Sequence, residues 1–102
     1  MKEYSLRYLP IAENDLIEIV DYIQNTLKNP IAAENTLEKI ESAILKRLES
    51  PESFAVWPSK KEHQYPYRRI NVGNYSVWYV VIDDVMEVRR ILYSHRDETD
   101  LI

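Results

Sequence analysis

The feature that most constrains this chain is the stretch from Tyr67 to Tyr93. It holds three runs rich in β-branched and aromatic residues, separated by Gly73-Asn74 and by Asp83-Asp84. Gly and Asn accept the positive φ values of tight hairpin turns, and Asp does so less readily. The pattern predicts an antiparallel meander of three strands. Its middle strand, Tyr75 to Ile82, is paired on both sides. Val77, Trp78, Tyr79, Val80, Val81 and Ile82 make that strand apolar on both faces, as a buried strand requires. One face of such a sheet must lie under something, and the first half of the chain supplies the cover.

From Glu3 to Leu9, Tyr4, Leu6 and Tyr8 alternate with Ser5 and Arg7, the pattern of a half-buried strand. Pro10 ends it and suits the first turn of a helix, where a missing N–H costs nothing. Ala12, Leu16, Ile19, Val20, Ile23 and Leu27 then recur at spacings of three and four, with Glu13, Asp15, Glu18 and Asp21 assigned to the opposite side. Asn29-Pro30 breaks this helix and starts another, with Asn29 as N-cap and Pro30 at the first helical position. Ala33, Leu37, Ile40, Ile44 and Leu48 form the second apolar stripe. It ends by Ser50, because Pro51 disfavours helix in the residue before it. The expected fold is α+β: a strand, an antiparallel helical hairpin on one face of the sheet, then the three-stranded meander. Glu52 to Pro66 has no usable period, and Phe54 and Trp57 are expected to pin it to the core. Ser94 to Ile102 reads as a short polar tail.

A length of 102 residues predicts one domain spanning 1–102. With 45% hydrophobic and 29% charged residues, the composition is that of a globular protein rather than a disordered one. The absence of cysteine excludes disulfides and thiolate metal sites, and two histidines, His63 and His95, are few for zinc. No metal and no cofactor is expected. No apolar run reaches membrane-spanning length and the N-terminus lacks a signal-peptide core, so the expectation is a soluble cytoplasmic protein without membrane contact. The net charge of −4 is unevenly placed. Pro10 to Glu52 holds nine acids against four bases, a net of −5, and Lys60 to Arg96 holds seven bases against four acids, a net of +3. Two surfaces with different partners follow from such a division.

The early strand, the acidic helical hairpin and the run Tyr67-Arg68-Arg69-Ile70-Asn71-Val72-Gly73-Asn74-Tyr75 resemble the RelE/ParE superfamily of bacterial toxins. Arg90-Ile91-Leu92-Tyr93-Ser94-His95-Arg96-Asp97 is similar to that family's last strand and tail, and Ala12 through Ile23 to its first helix. The resemblance implies the small α+β fold of these toxins and the toxin role in a type II toxin–antitoxin pair, with growth arrest and plasmid stabilization as the associated biology. It also implies a cognate antitoxin partner, a separate small protein. It does not specify an oligomeric state.

Two mechanisms divide that superfamily. RelE-like members resemble ribosome-dependent mRNA endonucleases, and ParE-like members resemble inhibitors of DNA gyrase. Cleavage through a 2′-hydroxyl needs a base, an acid and cations for the phosphorane. On the nuclease reading the catalytic set is His95 as base or acid, Arg68, Arg69 and Arg96 on phosphate, and Tyr93 orienting or donating. On the gyrase reading Arg68, Arg69, Arg96, Lys60 and Lys61 form the target-binding surface. Ser76 stands where nuclease members present a catalytic arginine, and Arg96 follows His95 where histidine-using members carry a tyrosine. The nucleases are also strongly basic, whereas a net negative chain has little long-range attraction to RNA. The preferred reading is therefore gyrase binding. The alternatives are an mRNA endoribonuclease, if the chain is an enzyme, or a degenerate toxin acting only within a transcription-regulating complex.

Overall fold

Both meander turns place a positive φ at their first residue, 57° at Gly73 and 56° at Asp83. Glycine adopts it without a Cβ clash, and aspartate is among the few other residues that visit this region. A computed structural model describes residues 3–58 and 64–94. In chain order these form β1 (Ser5–Tyr8), α1 (Pro10–Asp21), a π-helical turn (Tyr22–Thr26), α2 (Pro30–Arg47), β2 (Arg68–Val72), β3 (Tyr75–Ile82) and β4 (Val85–Tyr93).

The sheet order is β1-β4-β3-β2. The meander is antiparallel, as the turns dictate, while β1 runs parallel to β4 with Ser5 opposite Val85 and Tyr8 opposite Val88. Both β3 and β4 are therefore interior strands. Between β3 and β4 the register slips: Trp78 lies opposite Arg90 but Tyr79 opposite Val88, so Arg89 is the extra residue of a β-bulge.

Ala12, Ile40 and Ile44 from the helices pack on Val77, Tyr79, Met86, Val88 and Ile91, with Leu16 and Ile19 partly buried against them. Each large aliphatic side chain so buried contributes about 1.5–3 kcal/mol. The hairpin thus covers one sheet face, as the α+β reading requires. On the other face Trp78, Val80 and Leu92 lie with Tyr67 beneath Trp57 and Tyr65. Trp57 meets Trp78 edge-on at 5.1 Å between ring centroids, and its backbone N–H donates to the Tyr67 carbonyl at 2.7 Å. Trp57 does pin the connection. Phe54 does not: it is exposed, under the Arg47 guanidinium at 3.5 Å.

Two helical expectations are corrected. Asp15 is buried, not on the solvent side of α1, because its carboxylate is engaged by β4. The first helix does not run regularly to Leu27. Its last turn widens, the Leu27 N–H bonding the Tyr22 carbonyl five residues back, and this leaves Leu27 exposed. α2 ends at Arg47, before Ser50 as expected. Its start is as read, with the Asn29 side chain accepting from the Ala32 N–H at 3.1 Å. Among the described residues no helix is long and apolar enough to cross a membrane.

Candidate functional site

Strand alternation sorts the candidate residues. Arg68 lies opposite Tyr79, whose ring faces the helices, and Arg69 lies opposite Trp78, whose ring faces away from them. The two adjacent arginines therefore serve opposite sides of the sheet. Arg68 donates Nε–H to the Phe54 carbonyl at 3.1 Å. The Arg69 guanidinium stands over the rings of Trp57, at 4.4 Å, and Trp78, at 5.4 Å. Contacts of this kind hold a cation at a desolvated surface.

Next to Arg69 on that face is a charge network absent from the sequence-based candidates. Glu87, buried near the start of β4, accepts hydrogen bonds from Arg7 of β1 and from Arg89 of the bulge, the latter at 2.9 Å. Burial acts to raise the Glu87 pKa, and the two guanidinium hydrogen bonds outweigh it, holding the carboxyl below its ordinary value. Arg89 also donates to the Tyr67 hydroxyl at 3.5 Å. Burial disfavours its charge, but Tyr67 and Glu87 more than compensate. The face thus presents Arg7, Arg69 and Arg89 around an aromatic floor, with one carboxylate locked ionised among them. Such a surface can hold an acidic or anionic partner. At neutral pH Glu87 is no proton donor, and both its oxygens accept from guanidinium groups.

Arg90, beside Arg89, goes the other way. Its guanidinium grips Asp15 of α1 at 2.8 and 3.0 Å. Tyr93 lies opposite Tyr75 at the far end of β4, the rings 5.7 Å apart. It lines a groove of about 740 Å³ with Tyr22, Leu27 and Glu18. Ser76 is fully buried and its hydroxyl lies 2.9 Å from that of Ser94. The structure therefore does not bring Arg68, Arg69 and Tyr93 together. His95, Arg96, Lys60 and Lys61 lie outside the described residues. Among the described residues no group of three or more His, Cys, Asp or Glu side chains is placed to hold a metal ion.

Arg7, Glu87 and Arg89 could have been found from sequence only by knowing that β1 pairs with β4, since Arg7 and Glu87 are brought together by that register alone.

The model of one protein family, described as the ParE toxin of the type II toxin–antitoxin system parDE, matches residues 6–98. The chain belongs to the ParE toxin family. That places it in the RelE/ParE superfamily as the toxin of a type II system. Among solved structures, this ParE-family chain is similar to the chromosomal ParDE TA system from P. aeruginosa, with a TM-score of 0.74 and 21% identity over 88% of this chain and 95% of that one. It is also similar to a RelB–RelE antitoxin–toxin complex from Methanococcus jannaschii, TM-score 0.51 and 23% identity over 87% and 91% of the two chains. YafQ from E. coli strain BL21(DE3) follows, TM-score 0.52 and 12% identity over 91% and 96%. At these identities the likeness is one of fold. No curated protein sequence matches the chain.

Proposed function

We propose that this ParE-family toxin arrests growth by binding DNA gyrase and is neutralised by a cognate antitoxin. The observation that carries the choice of target is Ser76. Where an RNA-cleaving relative needs a cation at the end of β3, this chain has a fully buried hydroxyl bonded to Ser94. Loss of one preorganised transition-state donor costs about 3–4 kcal/mol, enough to cripple phosphoryl chemistry. The separation of Arg68, Arg69 and Tyr93 adds to this, as does the net charge of −4. Arg69, with its ring-stacked guanidinium, belongs to the target-binding surface, to which the sequence also assigns Arg96, Lys60 and Lys61, whereas Arg68 serves the opposite side of the sheet. The antitoxin partner is supported by the two similar structures described as a ParDE system and as a RelB–RelE complex.

Induction of the gene in a bacterial host, with and without His95→Gln, tests the proposal. The expected result is growth arrest with altered plasmid supercoiling, no new mRNA ends, and equal toxicity of the variant. New ends at ribosome-bound codons that disappear with His95→Gln would overturn it, since removing a general acid or base slows cleavage about 10²–10⁴-fold.

A further inference from the structure

The solvent side of α2 carries a straight stripe. Ile31, Glu34, Glu38, Glu41 and Leu45 follow at spacings of three, four, three and four, which aligns them as in the seam of a coiled coil. Its ends are apolar and exposed, Ile31 at 73% and Leu45 at 57%. Its centre is three glutamates, none with a Lys or Arg three or four residues away. Like charges at these spacings weaken a helix, so the stripe does not serve the stability of α2 itself.

Two shallow hollows meet beside it. One of about 360 Å³ runs along α2 between Glu34, Leu37, Glu41 and Leu45. The other, also about 360 Å³, lies between the helices and is lined by Ile17, Val20, Asp21 and again Leu37. The two linings hold four carboxylates and no Lys or Arg. Ile17 is 65% exposed at the edge of the second hollow. The result is a trough with apolar knobs and an anionic rim, on the opposite side of the sheet from Arg69 and Arg89.

We infer that this trough is a docking surface for an amphipathic helix of a protein partner, one whose apolar edge is flanked by Lys or Arg. Leu37, Leu45 and Ile17 supply the ridges between which a second helix seats. With about 1.5 Å of rise per residue, Leu45 lies about 12 Å beyond Leu37, so a partner of three turns covers both. The carboxylate rim selects cationic flanks and repels nucleic acid. Because the arginine-bearing face lies on the other side, a helix bound here leaves that face open. The inference does not depend on gyrase being the target.

The test uses the full chain and a labelled 18-residue synthetic helix with leucines at heptad positions flanked by lysine and arginine, beside the same helix with glutamate in place of every base. Fluorescence anisotropy should show saturable binding of the basic helix only, weakening as salt rises. The triple variant Glu34→Lys, Glu38→Lys, Glu41→Lys, with its fold checked by circular dichroism, should bind at least about tenfold more weakly, as expected when complementary charge is reversed. Leu45→Ser provides a second reading and should also weaken binding. Equal binding of both helices, or unchanged affinity in the folded variants, would overturn the inference. So would sedimentation of the chain alone as a dimer that the triple variant dissolves, which would assign the trough to a second copy.

Discussion

Asp15 of α1 holds Arg90 of β4 through two hydrogen bonds, at 2.8 and 3.0 Å, and its Oδ2 also accepts the Ile91 amide at 3.0 Å. β1 accompanies β4 only as far as Val88. Past that point the helix carboxylate satisfies an edge amide that a neighbouring strand would otherwise bond. The hydrogen bond to Asp15 holds the Arg90 pKa above its ordinary value. One side chain thus fixes the helix, a strand edge and a guanidinium.

Asp15→Ala should destabilise the fold by about 2–4 kcal/mol, somewhat below the loss at a fully buried pair because Arg90 keeps partial contact with water. Asp15→Asn keeps an acceptor for the Ile91 amide and should lose less. Urea melts of the two variants beside the parent check both the size and the order.

Glu87 gives a pH signature. Its folded pKa is depressed, so its contribution is present above the unfolded carboxyl pKa and is lost as pH falls through the folded value. Glu87→Gln should cost about 1–3 kcal/mol at pH 7. The gap between parent and variant should narrow once pH drops below about 4.3, the ordinary glutamate value. Melting temperatures from pH 7 down to 3 follow the gap, and a constant difference would contradict the assignment.

Ile40 is wholly buried between the sheet and α1, whereas Ile17 stands largely in water. Ile40→Ala should destabilise by about 2–5 kcal/mol. Ile17→Ala should stay within about 0.5 kcal/mol. Denaturant midpoints for both are the measurement.

Lys28 follows the π-helical turn with φ at 53°, a helix-terminating conformation that suits glycine. Lys28→Gly should raise stability by about 0.5–1 kcal/mol, since it removes a left-handed strain larger than the entropy glycine adds to the unfolded chain. A lower melting temperature would show that Lys28 makes a compensating contact.

The meander was legible because its signals are local: Gly73, the alternating runs and the short turns lie within a few residues of what they shape. Asp15 was misread for an instructive reason. Three residues after Ala12 and four before Ile19, it sits on the buried stripe by spacing, yet its charge argued for solvent. Spacing was the better guide, because a partner 75 residues away accepts the charge. The π-helical turn left no mark, lacking Pro or Gly. In the candidate site, period-2 alternation already separates Arg68 from Arg69. The Arg7–Glu87–Arg89 network had no local sign, since parallel pairing across 80 residues has no turn to announce it.

The place of β1 also governs when this domain can form. Among the described residues its only sheet neighbour is β4, the last of their strands. As the protein emerges N-terminus first from the ribosome, β1 waits without a ladder until residues 85–88 appear, and the helices wait with half their platform missing. Closing so long a loop before contacts reward it slows folding. The complete toxin surface therefore arises late in synthesis, after nearly every other residue described here has already been made.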